Sequence, residues 1–344
     1  KVAMLPILSA IGGMLFPALI YSAINSGGEG SNGWGIPMAT DIAFAISALV
    51  LLRNRVSTSL VTFLVALAIV DDLGAVIVIA LFYTNEIHLS WLMMAGGAFL
   101  VMVALNRFGI HAVLPYFVVG LFMWFFMLES GVHATIAGVI AALSIPSKPK
   151  YTPTSFTAHT KNLLDEYDNY PVATDNTMHE RQKAILQNIK DKIDAVGSPS
   201  ARLEHSLHLP ISLVIIPLFA LANAGIAIDF SSINESITQN VSLGIIMGLI
   251  FGKAIGIAGV AYIAIKLKIA SLPQNSTMNQ ILGVSFLGGI GFTMSIFVAD
   301  LAFAGNDTLI FQAKIGILAA SLTAGLLGFL WLRYVAKSPE QEQQ

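Results

Sequence analysis

Long apolar runs alternate with short polar stretches along this chain. The alternation predicts ten segments: Val2–Ile24, Ile36–Leu52, Leu60–Tyr83, Leu89–Leu105, Val113–Leu128, Val132–Ile145, Leu209–Ile228, Val241–Ile265, Ile281–Ala304 and Leu309–Leu332. A straight helix needs about 20 predominantly apolar residues to cross the hydrocarbon core of a bilayer. Ile36–Leu52 and Val132–Ile145 are short by that measure. Short segments can be broken or half-spanning helices, tolerated where they line a cavity within the protein. The pattern predicts an all-α polytopic membrane protein.

Composition agrees: 56% of the residues are hydrophobic and 11% charged, with a mean hydropathy of +0.76. No soluble domain of this length needs so much apolar surface. Charge adds orientation. Lys1, Arg53, Arg55, Arg107, the stretch Lys148 to Arg202, Lys266, Lys268, Arg333 and Lys337 fall in alternate connections or at the termini, and the intervening connections hold no Lys or Arg. By the positive-inside rule, Lys1 and the C-terminus are expected on the cytoplasmic side of a plasma membrane. The absence of cysteine excludes disulfides and thiolate metal sites. The chain opens at Lys1 with neither Met nor a signal-peptide pattern, so its true start is expected upstream.

These patterns divide the chain into membrane spans over 1–146, a cytoplasmic loop over 147–205, further spans over 206–335 and a polar tail over 336–344. The early part of the loop, rich in Pro, Thr, Asn and Tyr, reads as irregular. Thr177-Met178-His179-Glu180 then has the form of a capping box. A helix is predicted over Met178–Val196, with Ala184, Ile185, Ile189 and Ile193 as a narrow apolar stripe and Gly197 and Pro199 as its stop. It reads as a connector between spans, since it carries no chemical motif.

Charged residues inside the apolar runs are the candidates for chemistry. Asp71 and Asp72 sit in the middle of Leu60–Tyr83. A carboxylate at bilayer depth costs roughly 2.5–3.5 kcal/mol on insertion scales, so the pair needs a cavity, a partner or a proton. Neighbouring helical positions point about 100° apart, which lets one face an ion path and the other a protein partner. Lys253, at mid-span between Gly252 and Gly256, is too deep to reach the surface, and either aspartate is a suitable partner. Lys314 lies about a turn and a half inside its span, where snorkelling is the better reading. Thr40-Asp41 opens a short apolar stretch, either as a plain cap or as a break inside the membrane where Asp41 offsets the N-termini of half-helices. Leu287-Gly288-Gly289-Ile290-Gly291-Phe292-Thr293-Met294-Ser295 interrupts the ninth run, either freeing backbone groups or permitting close packing. One interruption near each end of the chain points to inverted repeats. His205 and His208 share a helix face where the loop meets the seventh segment, as a pH-sensing pair or as interfacial anchors. For His133 and the neighbouring Glu129, near the outer ends of short spans, anchoring is the favoured reading, and Asp300 has no assigned role.

Several stretches together closely resemble the NhaA family of sodium/proton antiporters. They are Ala39-Thr40-Asp41-Ile42-Ala43-Phe44-Ala45, Ala68-Ile69-Val70-Asp71-Asp72-Leu73-Gly74-Ala75, Ser130-Gly131-Val132-His133-Ala134-Thr135, Pro217 to Gly225, Phe251-Gly252-Lys253 and Gly289 to Ser295. That family is itself one of the standard examples of inverted repeats and broken helices. The resemblance implies an inverted-repeat transporter with two broken, crossing helices, Thr40-Asp41 at the first crossing and Gly288, Gly289, Gly291 and Thr293 at the second. It implies that Asp72 is the principal sodium- and proton-binding carboxylate, with Asp71 beside it and Lys253 paired to Asp71. Arg202, Glu204, His205 and His208 match the cytoplasmic mouth that the family uses in its pH response. The family has twelve spans, so its first two are expected to be missing here. A carboxylate that contributes to pH sensing and a hairpin used in dimerisation would go with them. Ala201 stands where a basic residue is common, and the stretch 151–200 is a long insert.

The expected activity is exchange of sodium or lithium for protons across a bacterial inner membrane, serving sodium and pH homeostasis. No cofactor and no nucleic acid are expected; the oligomeric state stays open, with a homodimer, weakened by the missing spans, as one option. Two rivals use single features: an intramembrane aspartyl protease, which needs carboxylates on facing helices, and a retinal protein with Lys253 as the Schiff base. Each leaves the interrupted spans unused.

Overall fold

The computed structural model describes residues 3–52, 55–83, 87–149, 153–169, 178, 180–224 and 233–335. Every regular element among them is helical. Seven helical stretches are long and apolar enough to cross a membrane: Met4–Ile24, Glu29–Val50, Thr58–Phe82, Leu89–Arg107, Pro199–Ala222, Asn240–Lys266 and Asp307–Val335. Met278–Leu287 and Phe292–Ala302 form a pair bent by 50°, and Val113–Glu129 and Thr135–Ser144 are shorter apolar helices. In order, these occupy the ten predicted segments. Many apolar side chains face outward, as Leu81 does at 72% exposure, which suits lipid rather than water.

The chain divides into two compact units, 1–83 with 218–344 and 84–217. In the first unit, α1 (Met4–Ile24) leads to a 3-10 stretch, Glu29–Met38, and then to α2 (Ile42–Val50). The stretch before Ile36, a connection between predicted segments, is therefore largely helical. Gly30, Gly33, Gly35 and Pro37 disfavour an α-helix, and two tyrosines hold the tighter winding in place. Tyr21 donates to Gly30 O at 2.7 Å and Tyr83 to Asn32 O at 2.7 Å, while Gly35 N donates to Tyr83 Oη at 3.1 Å. Ala39 and Asp41 are extended, which breaks the span.

The long α3 (Thr58–Phe82) starts at Ser57, whose hydroxyl accepts from Leu60 N at 3.2 Å. Its buried residues, among them Leu60, Leu64, Leu67, Asp71, Ala75 and Ile79, recur every three or four positions. Asp71 thus lies on the core stripe, and Asp72 is turned about 100° away from it.

The second unit holds α4 (Leu89–Arg107), α5 (Val113–Glu129) and α6 (Thr135–Ser144) around a core that includes Met102, Tyr116, Met123 and Ala137. Next comes α7 (Pro153–Asp168), a helix where composition predicts irregular chain. Its half-buried Phe156, Thr160, Leu163 and Tyr167 recur at helical spacing, a pattern masked by the surrounding polar residues. It is followed by α8 (Glu180–Val196), tied to α7 by Arg181 and Glu166 at 2.9 Å. Of the predicted stripe, Ile185 is buried and Ile193 exposed. The expected capping box rests on Thr177, outside the described residues. The helix ends at Val196 as predicted, but Pro199 opens α9 (Pro199–Pro210) instead of acting only as a stop. Proline suits a first helical position, where no amide is needed, and Ser198 caps that start. A π-helical turn, Ile211–Ile215, leads into α10 (Ile216–Ala224).

Beyond the short α11 (Ile233–Ile237), Asn240–Lys266 runs as one path: α12 (Asn240–Met247), π-helical turns at Gly248–Gly252 and Ile255–Gly259, and α13 (Val260–Lys266). Between helices in lipid, close packing replaces the hydrophobic drive, and small residues permit it. A Cβ on Gly252 would lie 2.7 Å from Pro17 Cα and 3.0 Å from Pro17 N of α1. Gly252→Ala is therefore expected to overpack this contact, at a cost of about 1–3 kcal/mol. A melting temperature in detergent equal to that of the unaltered protein would show that α1 yields instead.

The remaining elements are α14 (Met278–Leu287), α15 (Phe292–Ala302) and α16 (Asp307–Leu330), which continues as a π-helical turn at Trp331–Val335. Thr277 and Gln280 form a capping box on α14. The break between α14 and α15 is built from glycines that admit close neighbours: a Cβ on Gly288 would meet Ile257, and one on Gly291 would meet Leu249 and Ser295. The expected polar tail, 336–344, lies outside the described residues.

Candidate functional site

Two apolar clusters fill the first unit. One includes Ala45, Leu67, Ile257 and Ile290, and the other Ala39, Ile79, Ile250 and Ile296. On each of four elements, polar residues fall between a member of one cluster and a member of the other: Thr40 and Asp41, then Asp71, then Lys253, then Thr293. They form a polar layer enclosed by hydrocarbon, where charges interact strongly and an unpaired charge is costly.

Lys253 Nζ lies 2.6 Å from Asp71 Oδ2, and both side chains are fully buried. The same ammonium donates to Thr40 Oγ1 at 2.9 Å. Thr40 has one proton to give and two acceptors within reach, Asp71 Oδ2 at 2.6 Å and Gly288 O at 2.9 Å. One hydroxyl thus touches α3, the Lys253 helix and the second break.

Asp41 joins the two interrupted spans directly. Its amide donates to Ile290 O at 2.6 Å. Its Oδ1 accepts from Phe44 N at 3.3 Å, and its Oδ2 accepts from Thr293 N at 3.2 Å and Thr293 Oγ1 at 2.5 Å. One carboxylate therefore caps the N-terminus of α2 and that of α15. Each terminus carries roughly half a positive charge, so together they offset one carboxylate. Phe44 and Phe292 pack edge to face across the same junction, with ring centroids 5.2 Å apart.

Asp72 differs from its neighbours. Its Oδ1 and Asp71 Oδ1 are buried without a hydrogen-bond partner among the described residues. Among those residues, no group of three or more His, Cys, Asp or Glu gathers as a multidentate metal site. The chemistry on offer is a hard carboxylate oxygen, suited to a proton or a small hard cation.

Sequence reasoning missed the residues that hold the breaks from outside. Ser321 Oγ, on α16, accepts from Gly291 N at 3.3 Å and Phe292 N at 3.1 Å. Ser295 Oγ donates to Ile36 O at 2.9 Å, joining the second break to the first. Ser295 closes the glycine-rich stretch read from the sequence but was given no role there, and the only signal for Ser321 was a hydroxyl inside an apolar run. Lys314 does not snorkel: it is 15% exposed and lies 3.2 Å from Asp300, which thereby acquires a partner. Arg202, Glu204, His205 and His208 lie exposed on α9 of the other unit.

The sequence matches known proteins along nearly its whole length. The profile of the family described as Na+/H+ antiporter 1 matches residues 1–332. A Na(+)/H(+) antiporter NhaA of Sulfurimonas denitrificans is 72% identical over 338 residues, covering 98% of this chain and 76% of the relative. The NhaA of Dichelobacter nodosus is 50% identical over 343 residues, with 99% and 74% covered. The NhaA 1 of Saccharophagus degradans is 47% identical over 333 residues, with 96% and 71% covered.

Proposed function

This chain belongs to the Na+/H+ antiporter 1 family, and from that membership we propose that Asp72, with Asp71 beside it, is where sodium and protons compete. The protein is a secondary transporter exchanging sodium for protons, not an enzyme. The protease and retinal readings have no support from these relatives.

The charge balance of the polar layer carries the reading of the site. Asp41 is offset by two helix N-termini, and Asp71 by Lys253. That leaves Asp72 as the carboxylate of the layer with a buried oxygen unpartnered and no ion pair among the described residues. At this depth its charge is costly unless something neutralises it, and a proton or a sodium ion does so equally well. One site holding either ion in turn makes exchange by competition. When the site is exposed alternately to the two faces, a proton gradient drives sodium outward. Lithium, also small and hard, is a second cargo under the same chemistry. The Lys and Arg distribution supports placing the chain in a bacterial inner membrane with Lys1 and the C-terminus cytoplasmic. On that side, Arg202, Glu204, His205 and His208 are candidates for the pH response.

The test is reconstitution into liposomes that enclose a pH-sensitive dye. Adding sodium outside an acid-loaded vesicle is expected to carry sodium in and protons out, so that the enclosed dye reports alkalinisation in proportion to sodium, with no response to potassium. A proton flux indifferent to sodium would overturn the proposal.

The polar insert is expected to be dispensable. Ser200 N donates to Pro146 O at 3.4 Å, so the chain leaves and returns at nearly one point. Replacing Tyr151–Gly197 by a short Gly/Ser linker should keep maximal exchange within about twofold of the unaltered rate. Loss of transport in a well-inserted deletion would make α7 and α8 part of the machinery.

A further inference from the structure

The start of α15 has free backbone amides, as every helix start does. Here they are divided between two acceptors of different charge. Thr293 N goes to the carboxylate of Asp41, while Gly291 N and Phe292 N go to the hydroxyl of Ser321. Ser321 is buried and sits on α16, which supplies none of the carboxylates of the polar layer. At its outer end the same pair of helices is joined again by Lys314 and Asp300. We propose that Ser321 is a positioning residue for ion exchange: by taking two amides of the half-helix with a neutral oxygen, it fixes how much positive potential α15 projects onto the site carboxylates. This rests on the site reading given above.

The physical consequence has a definite sign. Without Ser321 Oγ, two amides lose their acceptor and their partial positive charge is no longer screened locally. Positive potential disfavours every cation at the site, and sodium and the proton carry the same charge. Both should therefore weaken together, and by a similar factor, because they compete for the same carboxylates. The other charged groups of this layer are Asp41 on the first broken span, Asp71 and Asp72 on α3 and Lys253 on the Asn240–Lys266 path. The Lys314–Asp300 pair belongs to α16 and α15; Asp307 on α16, Glu235 on α11 and Glu29 on the 3-10 stretch are exposed in first helical turns, and α1 and α14 contribute no Asp, Glu, Lys, Arg or His.

Ser321→Ala is expected to raise the apparent KM for sodium about tenfold, measured at the alkaline plateau where protons no longer compete. The curve of activity against pH should move to the acid side by about one unit, because a tenfold change in cation affinity equals one pH unit for a proton. Ser321→Thr, which keeps the hydroxyl, should restore both. A purely structural role would lower the melting temperature or the maximal rate without this paired shift, and that outcome overturns the proposal, as does an unchanged KM. Should Ser321→Ala fail to insert, Ser321→Cys carries the same test with a smaller shift, since a thiol is a weak acceptor. Asp72→Asn measured alongside separates the two ideas. Exchange lost there with no shift in Ser321→Ala removes only the role of Ser321, whereas exchange surviving in Asp72→Asn removes the site reading itself.

Discussion

Replacing Asp72 with asparagine is expected to abolish sodium-driven proton movement while the protein still inserts and folds. The amide has nearly the shape of the carboxylate, but it neither takes up a proton in the working range nor supplies a negative charge to a cation. Stability should not suffer. The wild-type carboxylate has a buried oxygen without a hydrogen-bond partner among the described residues, and removing its charge lowers the cost of holding the residue at bilayer depth. Asp72→Glu keeps the charge on a stem one methylene longer, so it should retain exchange with weaker sodium affinity. The measurement is dye-reported proton flux in liposomes for the three proteins at matched insertion. Normal exchange in the asparagine variant would mean that the charge left over in the polar layer is not the one that moves ions.

How much of this was legible in the sequence depends on whether a residue violates its surroundings. Asp71, Asp72 and Lys253 are conspicuous because charge inside an apolar run has few bland explanations. The first break was legible only as one of two readings, since Asp41 ahead of a short apolar stretch fits a plain cap as well as a break, and it caps α2 and α15 together. Ser321 and Ser295 violate nothing, since a hydroxyl in a span usually bonds within its own helix. Their roles follow only from which helix lies beside which, and periodicity does not carry that information. Lys314 was misread because depth along its own helix said nothing of Asp300, fourteen positions earlier on a different helix. The helix α7 was hidden differently: its stripe includes a threonine and a tyrosine, which weigh little in an apolar count.

Breaking the Lys253–Asp71 pair is expected to cost more stability than any other single change considered. Each partner is fully buried, and removing one leaves the other as an uncompensated charge, typically at about 3–5 kcal/mol. Lys253→Ala and Asp71→Asn should therefore each lower the melting temperature in detergent. The double variant should lose less than the two losses combined, because the second change removes a charge already orphaned, and couplings of this kind run to about 0.5–3 kcal/mol. Asp72 and Asp41 remain in the double variant, so exchange should survive in part. Strict additivity would mean that the two groups do not act on each other. The ammonium would then depend on its other close contact, Thr40 Oγ1 at 2.9 Å. Thr40→Val separates these cases, since it removes the hydroxyl and leaves both charges in place. A small loss beside a large Lys253–Asp71 coupling assigns the energy to the ion pair, and a loss as large as that of Lys253→Ala assigns it to the hydroxyl that bridges α3, the Lys253 helix and the second break.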